Sequence, residues 1–178
     1  MILTVEELKI RTACDGLDDK VIESRLKAIE GVIRKYTHNN FQNRNMRFIS
    51  ETPGGSVVPG VSPYIRINDT VQISQSEVNN GLYTVVAVGE ESTTLDANLF
   101  PCSWNMVTKI VYPVDVIECA IRLFEWQKEF GGKIGIKSES ETLSRHSESV
   151  TYEDSTTLYG GYPVGILSGL DLYCKARF

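Results

Sequence analysis

The stretch LDDKVIESRLKAIEGVIRKYTHNNF, Leu17 to Phe41, decides how the rest of the chain is read. Ile22, Leu26, Ile29, Ile33 and Tyr36 recur at steps of four and three, so they stack on one face of a helix. Val21, Ala28 and Val32 are expected to widen that stripe, while Lys20, Glu23, Arg25, Lys27, Glu30, Arg34 and Lys35 fill the other faces. Asp18 and Asp19 stand where unpaired N–H groups and the positive dipole end favour carboxylates. Arg34, Lys35 and His38 stand at the opposite end, where cations are favoured. Asn39 and Asn40 are expected to take the left-handed conformation that stops the helix. Such a stripe needs a partner. PVDVIECAIRL, Pro113 to Leu123, opens the one other long helical pattern, expected over Val114 to Phe130 and ended by Gly131-Gly132.

Upstream, Thr4-Val5-Glu6-Glu7 reads as a capping box opening a short helix, Val5 to Thr12, with Val5, Leu8 and Ile10 packing inward. Between the two long patterns the periodicity changes. Met46–Ser50, Tyr64–Ile67, Thr70–Ser74, Leu82–Val88, Thr93–Leu95 and Met106–Val111 read as strands. Asn79-Asn80-Gly81 and Gly89-Glu90-Glu91-Ser92 read as turns between them. Thr52-Pro53-Gly54-Gly55 and Val58-Pro59-Gly60 read as an exposed loop. The expected fold class is therefore α+β. It comprises an antiparallel helical body of two long helices plus a short N-terminal one (residues 1–45 and 113–132). A small antiparallel β-barrel or meander is inserted (46–112), and an extended C-terminal arm with an anchoring segment follows (133–178).

The 178 residues, 42% hydrophobic and 23% charged, describe an ordinary globular chain. The formal net charge of -5 gives no global basic footprint for nucleic acid. Cys14, Cys102, Cys119 and Cys174 are scattered without a C-x-x-C pair and read as free thiols of a reducing compartment. No secretion signal and no membrane-length apolar run is present, so assembly in a cytoplasm is expected.

No constellation specifies a chemistry. His38 reads as a helix cap, and His146 lies in a polar segment beside Ser144 and Ser147 with nothing to fix its tautomer. No His/Cys grouping has metal spacing. Cys102 is the most reactive-looking thiol but has no base near it in sequence. Gly131-Gly132-Lys133 and Gly54-Gly55-Ser56 lack the full phosphate-loop pattern. Arg34, Lys35, Arg44 and Arg47 read as a solvated basic patch, and Trp104 and Trp126 as packing residues. No catalytic residue, metal or cofactor is assigned.

The last third stands apart. KSESETLSRHSESVTY, Lys137 to Tyr152, is serine-rich and alternating, either a linker or an arm that forms a strand against another chain. Val164, Ile166, Leu167, Leu170, Leu172, Tyr173 and Phe178 then make an apolar terminus. It either packs on its own core or anchors in a partner.

This order of elements resembles the head–tail connector (adaptor, head completion) proteins of tailed bacteriophages and prophages. The resemblance rests on the helix running into Tyr36-Thr37 and Phe41, on PVDVIECAIRL, on Lys137-Ser138-Glu139-Ser140, and on Tyr162-Pro163 with Leu170 and Tyr173. It covers residues 1–41 and 113–178. DTVQI and NNGLYTV, within Asp69–Val85, look like small β modules of other phage virion proteins.

The resemblance implies a structural virion protein without catalysis, placed at the head–tail interface. Typically twelve copies form a ring below the portal protein, extend the DNA channel and dock a tail-side completion or terminator protein. DNA would pass without sequence-specific binding, and no membrane is involved. The alternative is a tail-terminator, tail-completion or other virion interaction protein. The residues expected to contact partners are Lys137, Ser138, Glu139, Ser140, Tyr152, Tyr162, Pro163, Ile166, Leu167, Leu170, Tyr173 and Phe178. Deletion after Ser155 is expected to leave a folded body that no longer binds portal.

Overall fold

The computed structural model describes residues 1–14, 16–131, 138–143, 146–151 and 157–176. They form two compact units, each built from separate stretches of chain. One comprises Met1–Thr4 with Asn39–Pro113, the other Val5–His38 with Val114–Phe178.

The first unit is a six-stranded antiparallel sheet. Its strands are β1 (Gln42–Thr52), β2 (Gly55–Pro59), β3 (Thr70–Ser74), β4 (Gly81–Val88), β5 (Ser92–Leu99) and β6 (Cys102–Ile110). Their order across the sheet is β1-β6-β3-β4-β5-β2, so β1 and β2 are the two edges. The sheet curls into a half-barrel. Val58, Val71, Ile73, Val85, Leu95 and Val107 fill its concave side, with Phe48 and Tyr83 packed against them. Alternation explains the choice: in β6, Asn105 and Val107 are buried while Trp104 is exposed. The curl brings the residue after β2 onto β1. Gly60 has φ +109, and a Cβ there would lie 2.9 Å from two ring carbons of Phe48. Only glycine accepts both that backbone and that approach.

The helical unit contains α1 (Val5–Arg11), α2 (Asp19–Thr37), α3 (Val114–Phe130) and α4 (Val164–Leu167), followed by a 3-10 turn over Ser168–Tyr173. Ile22, Leu26, Ile29 and Ile33 of α2 are fully buried, whereas Val21 is exposed, so the stripe is narrower than its sequence suggests. Val116, Ala120, Leu123 and Phe124 supply the buried face of α3. Leu8 of α1 is fully buried, but Ile10 points to solvent at 85% exposure. Asp18 caps α2 by accepting the Lys20 N–H at 2.8 Å. The stop comes from His38, left-handed at φ 48, rather than from either asparagine. The Asn39 side chain instead accepts the Phe41 N–H at 2.9 Å, and Phe41 is itself left-handed.

This architecture corrects the expected fold class. The chain is α+β with four short helices and a six-stranded curled antiparallel sheet, not a body of two long helices carrying a small insert and an extended arm. The physical reason is visible in four places. β1 runs eleven residues because it starts at Gln42, which pairs with Ile110 of β6 ahead of a register shift that ends at Arg47, so the polar run between them lies within the strand. The Pro/Gly-rich run Thr52–Gly60 is not a loop: Val57, Val58 and Pro59 pair with β5, and Val58 is fully buried. Tyr64–Ile67 forms no strand, since Ile65 N–H turns back onto Ser62 O at 3.0 Å and leaves Tyr64 and Ile67 exposed. The expected arm, finally, folds back over residues 157–176 into the helical unit.

Candidate functional site

Two features contain the residues expected to contact partners. The first is a hairpin of β7 (Ser138–Leu143) and β8 (His146–Thr151). Ser138, Glu139 and Ser140 lie opposite Thr151, Val150 and Ser149, and Glu141 lies opposite Glu148. These two strands pair only with each other among the described residues. Lys137, Tyr152 and Phe178, also expected at the site, lie outside the described residues.

The second feature is the C-terminal segment. Tyr162 and Pro163 (β10) pair with Leu158 and Tyr159 (β9) across a Gly160-Gly161 turn with φ of 59 and 86. Both positive values identify the turn that matches the twist of a two-residue hairpin. Tyr162, Leu167 and Leu170 are buried among the helices, while Ile166 and Tyr173 are half-buried. Of the two readings of the apolar terminus, packing on its own core is the one observed. Leu172 is the most exposed apolar residue described there, at 93%, and Val164 is also exposed.

Polar contacts that the sequence did not announce fix this segment. The Tyr36 hydroxyl donates to Asp171 at 2.6 Å, and the Tyr173 hydroxyl donates to Asp115 at 2.6 Å. Tyr162 donates to Gln127 at 3.0 Å, and Lys175 N–H donates to Thr37 O at 2.8 Å. The Tyr36 and Tyr159 rings meet edge to face, centroids 5.3 Å apart. The bond to Asp171 pushes the Tyr36 phenol up to about 12, and the bond to Asp115 raises that of Tyr173. Periodicity alone could not pair these residues, because the partners are 35 or more positions apart in sequence.

The signs of those shifts fix a pH dependence. A phenol is neutral below its pKa, and Tyr36 is raised above its ordinary 10.0. Its contribution is therefore complete below pH 10 and is lost as pH rises through about 12. Denaturant midpoints measured from pH 9 to 12 are expected to fall across that window. Tyr36→Phe should start lower and show a shallower fall. A variant with the same alkaline slope as the parent would show that Tyr36 does not clamp the segment.

The remaining candidates separate cleanly. Cys102 accepts from Ser76 Oγ at 3.5 Å and donates to Trp104 O at 3.2 Å. The Ser76 hydrogen bond draws its thiol below the usual value. Cys119 is pushed up to about 11 by burial. None of the four cysteines is joined in a disulfide. Asp69 orders a turn by accepting from Arg66 N–H at 2.7 Å and from the Lys109 ammonium at 2.6 Å. Arg34 and Lys35 belong to the helical unit, Arg44 and Arg47 to the sheet unit. Among the described residues, no group of three or more His, Cys, Asp or Glu is placed to hold a metal. No described helix is long and apolar enough to cross a membrane. Neither the family models nor the curated proteins compared with this chain give a match.

Proposed function

We propose that this chain is a structural virion protein of the head–tail connector type. It would form a ring below the portal protein, extend the DNA channel and dock a tail-side completion protein. The observation that carries the reading is the β7–β8 hairpin, a two-stranded sheet of its own. A two-stranded hairpin by itself is marginally stable in water, so such a segment gains most by pairing with another chain. Each of its outer edges is a template for strand addition. A closed ring needs two different complementary faces on every copy, and a strand-donating hairpin with an edge to receive it is one way to meet that need. The net charge of -5 supports a conduit that does not hold DNA, since added cations would bring salt-dependent phosphate binding. The sequence resemblance supplies the portal as partner and the expectation of about twelve copies.

Replacing residues 138–151 by a short Gly/Ser linker tests this. The variant is expected to keep the thermal transition of the parent while failing to form rings and failing to join portal. Rings formed without the hairpin would sink the proposed role for it. A tail-terminator or tail-completion reading draws on a different observation: Ile49 of β1 and Trp104 of β6 are exposed on the sheet unit. Rings built through that sheet on tail tubes would favour it.

A further inference from the structure

The helical unit contains a cavity of about 530 Å³ lined by Arg25 and Val32 of α2, Gln127 and Lys128 of α3, and the Gly160–Tyr162 turn. Its described lining includes two cations and no carboxylate. Nη1 of Arg25 is buried and has no hydrogen-bond partner among the described residues. A buried guanidinium N–H without an acceptor costs free energy, so its persistence calls for an acceptor that arrives from elsewhere. Tyr162 supplies a further wall, held by its bond to Gln127 at 3.0 Å. The Arg25 charge acts on that phenol, partly offsetting the rise that burial causes. Gly160 packs on Val32, where an added Cβ would lie 3.4 Å from Val32 Cγ2.

We infer that this cavity is an oxyanion site, in which Arg25 forks onto a carboxylate or phosphate and Lys128, whose ammonium donates to Ala13 O at 2.7 Å, adds a second positive charge at its rim. A planar guanidinium gives two parallel N–H donors to either anion, with geometry that an ammonium cannot match. Two sources can offer the chemistry. One is a free phosphate. The other is a glutamate of the acidic hairpin in a second copy. Glu141 and Glu148 are opposite one another in the strand register of that hairpin. The inference stands on the cavity and does not need the ring.

Trp126 reports on the site, because its ring lies 6.1 Å from that of Tyr162. In a Trp104→Phe background, the full chain is titrated with inorganic phosphate and with a peptide of residues 137–152, against sodium chloride at matched ionic strength. A saturable fluorescence change with at least one of them is expected. Arg25→Met should weaken it at least tenfold, and Lys128→Gln several-fold. Arg25→Met should also keep or raise the melting temperature, since it removes an unpaired buried donor; if it fails to fold, Lys128→Gln carries the comparison. A response to the peptide that disappears when its glutamates become glutamine identifies the second copy as the source. A response to phosphate alone identifies the free ion. No saturable response to either, or an unchanged response in the variants, overturns the site.

Discussion

Truncation after Ser155 is expected to unfold the helical unit, not merely to remove a partner contact. Tyr162, Leu167 and Leu170 go with the deleted residues, and all three are buried against that unit. Burial of each such side chain is worth about 1.5–3 kcal/mol. Three of them approach the whole stability of a domain, about 5–15 kcal/mol, although the deletion also releases the entropy cost of ordering the segment. The hydrogen bonds of Tyr36, Tyr173 and Lys175 are lost as well. Circular dichroism should show loss of helix, and amide exchange in α2 and α3 should become fast. Leu167→Ala is the milder form, with an expected cost of about 2–5 kcal/mol. A truncated chain with the parent's melting temperature would mean that the C-terminal segment does not belong to the core.

The second large effect is expected at Asn79. It is 2% exposed, and its side chain ties a loop to the interior of the sheet unit. Its amide nitrogen donates to Phe100 O at 2.9 Å and to Asn105 Oδ1 at 3.2 Å, while its oxygen accepts the Phe100 N–H at 2.9 Å. Asn105, fully buried, donates onward to Thr52 Oγ1 at 3.0 Å and to Ser50 O at 3.3 Å. Asn79→Leu leaves the Phe100 N–H and Asn105 Oδ1 without this donor or acceptor. At about 1–3 kcal/mol for each group, the expected loss is about 2–6 kcal/mol in denaturant unfolding of the sheet unit. Adding Asn105→Leu should cost less than the two single losses combined, because the second change removes a partner already stranded. Strict additivity would show that the two asparagines do not act as one network.

Asn79 also shows where sequence reading stops. Asn79-Asn80-Gly81 is legible as the link of a hairpin, and β3 does pair with β4 around it. Asparagine tolerates positive φ, but neither Asn79 nor Asn80 adopts it here. Gln75 takes the left-handed conformation, at φ 56, and Asn79 turns inward as a hydrogen-bonding hub. Turn propensity belongs to a residue and its neighbours, whereas a hub depends on Ser50, Thr52, Phe100 and Asn105, which only the folded sheet brings near. The same division holds elsewhere. The repeat from Ile22 to Ile33 is local, and all four of its core residues are buried where the period puts them. β2 was hidden because Pro and Gly signal turns locally, while Val58 is recruited by β5 from more than thirty residues away. Arg25 carries no sequence mark at all. It is one cation among several on a polar helix face, and the Gly160-Gly161 turn that closes its cavity lies far down the chain.

The functional account is tested most directly by the mass of the full-length protein in solution, alone and after mixing with a purified portal complex. The account predicts that the chain joins portal in a fixed, saturable ratio matching one closed ring per portal. A chain that stays unchanged in mass beside portal, or that closes into a small dimer indifferent to it, would contradict the connector assignment.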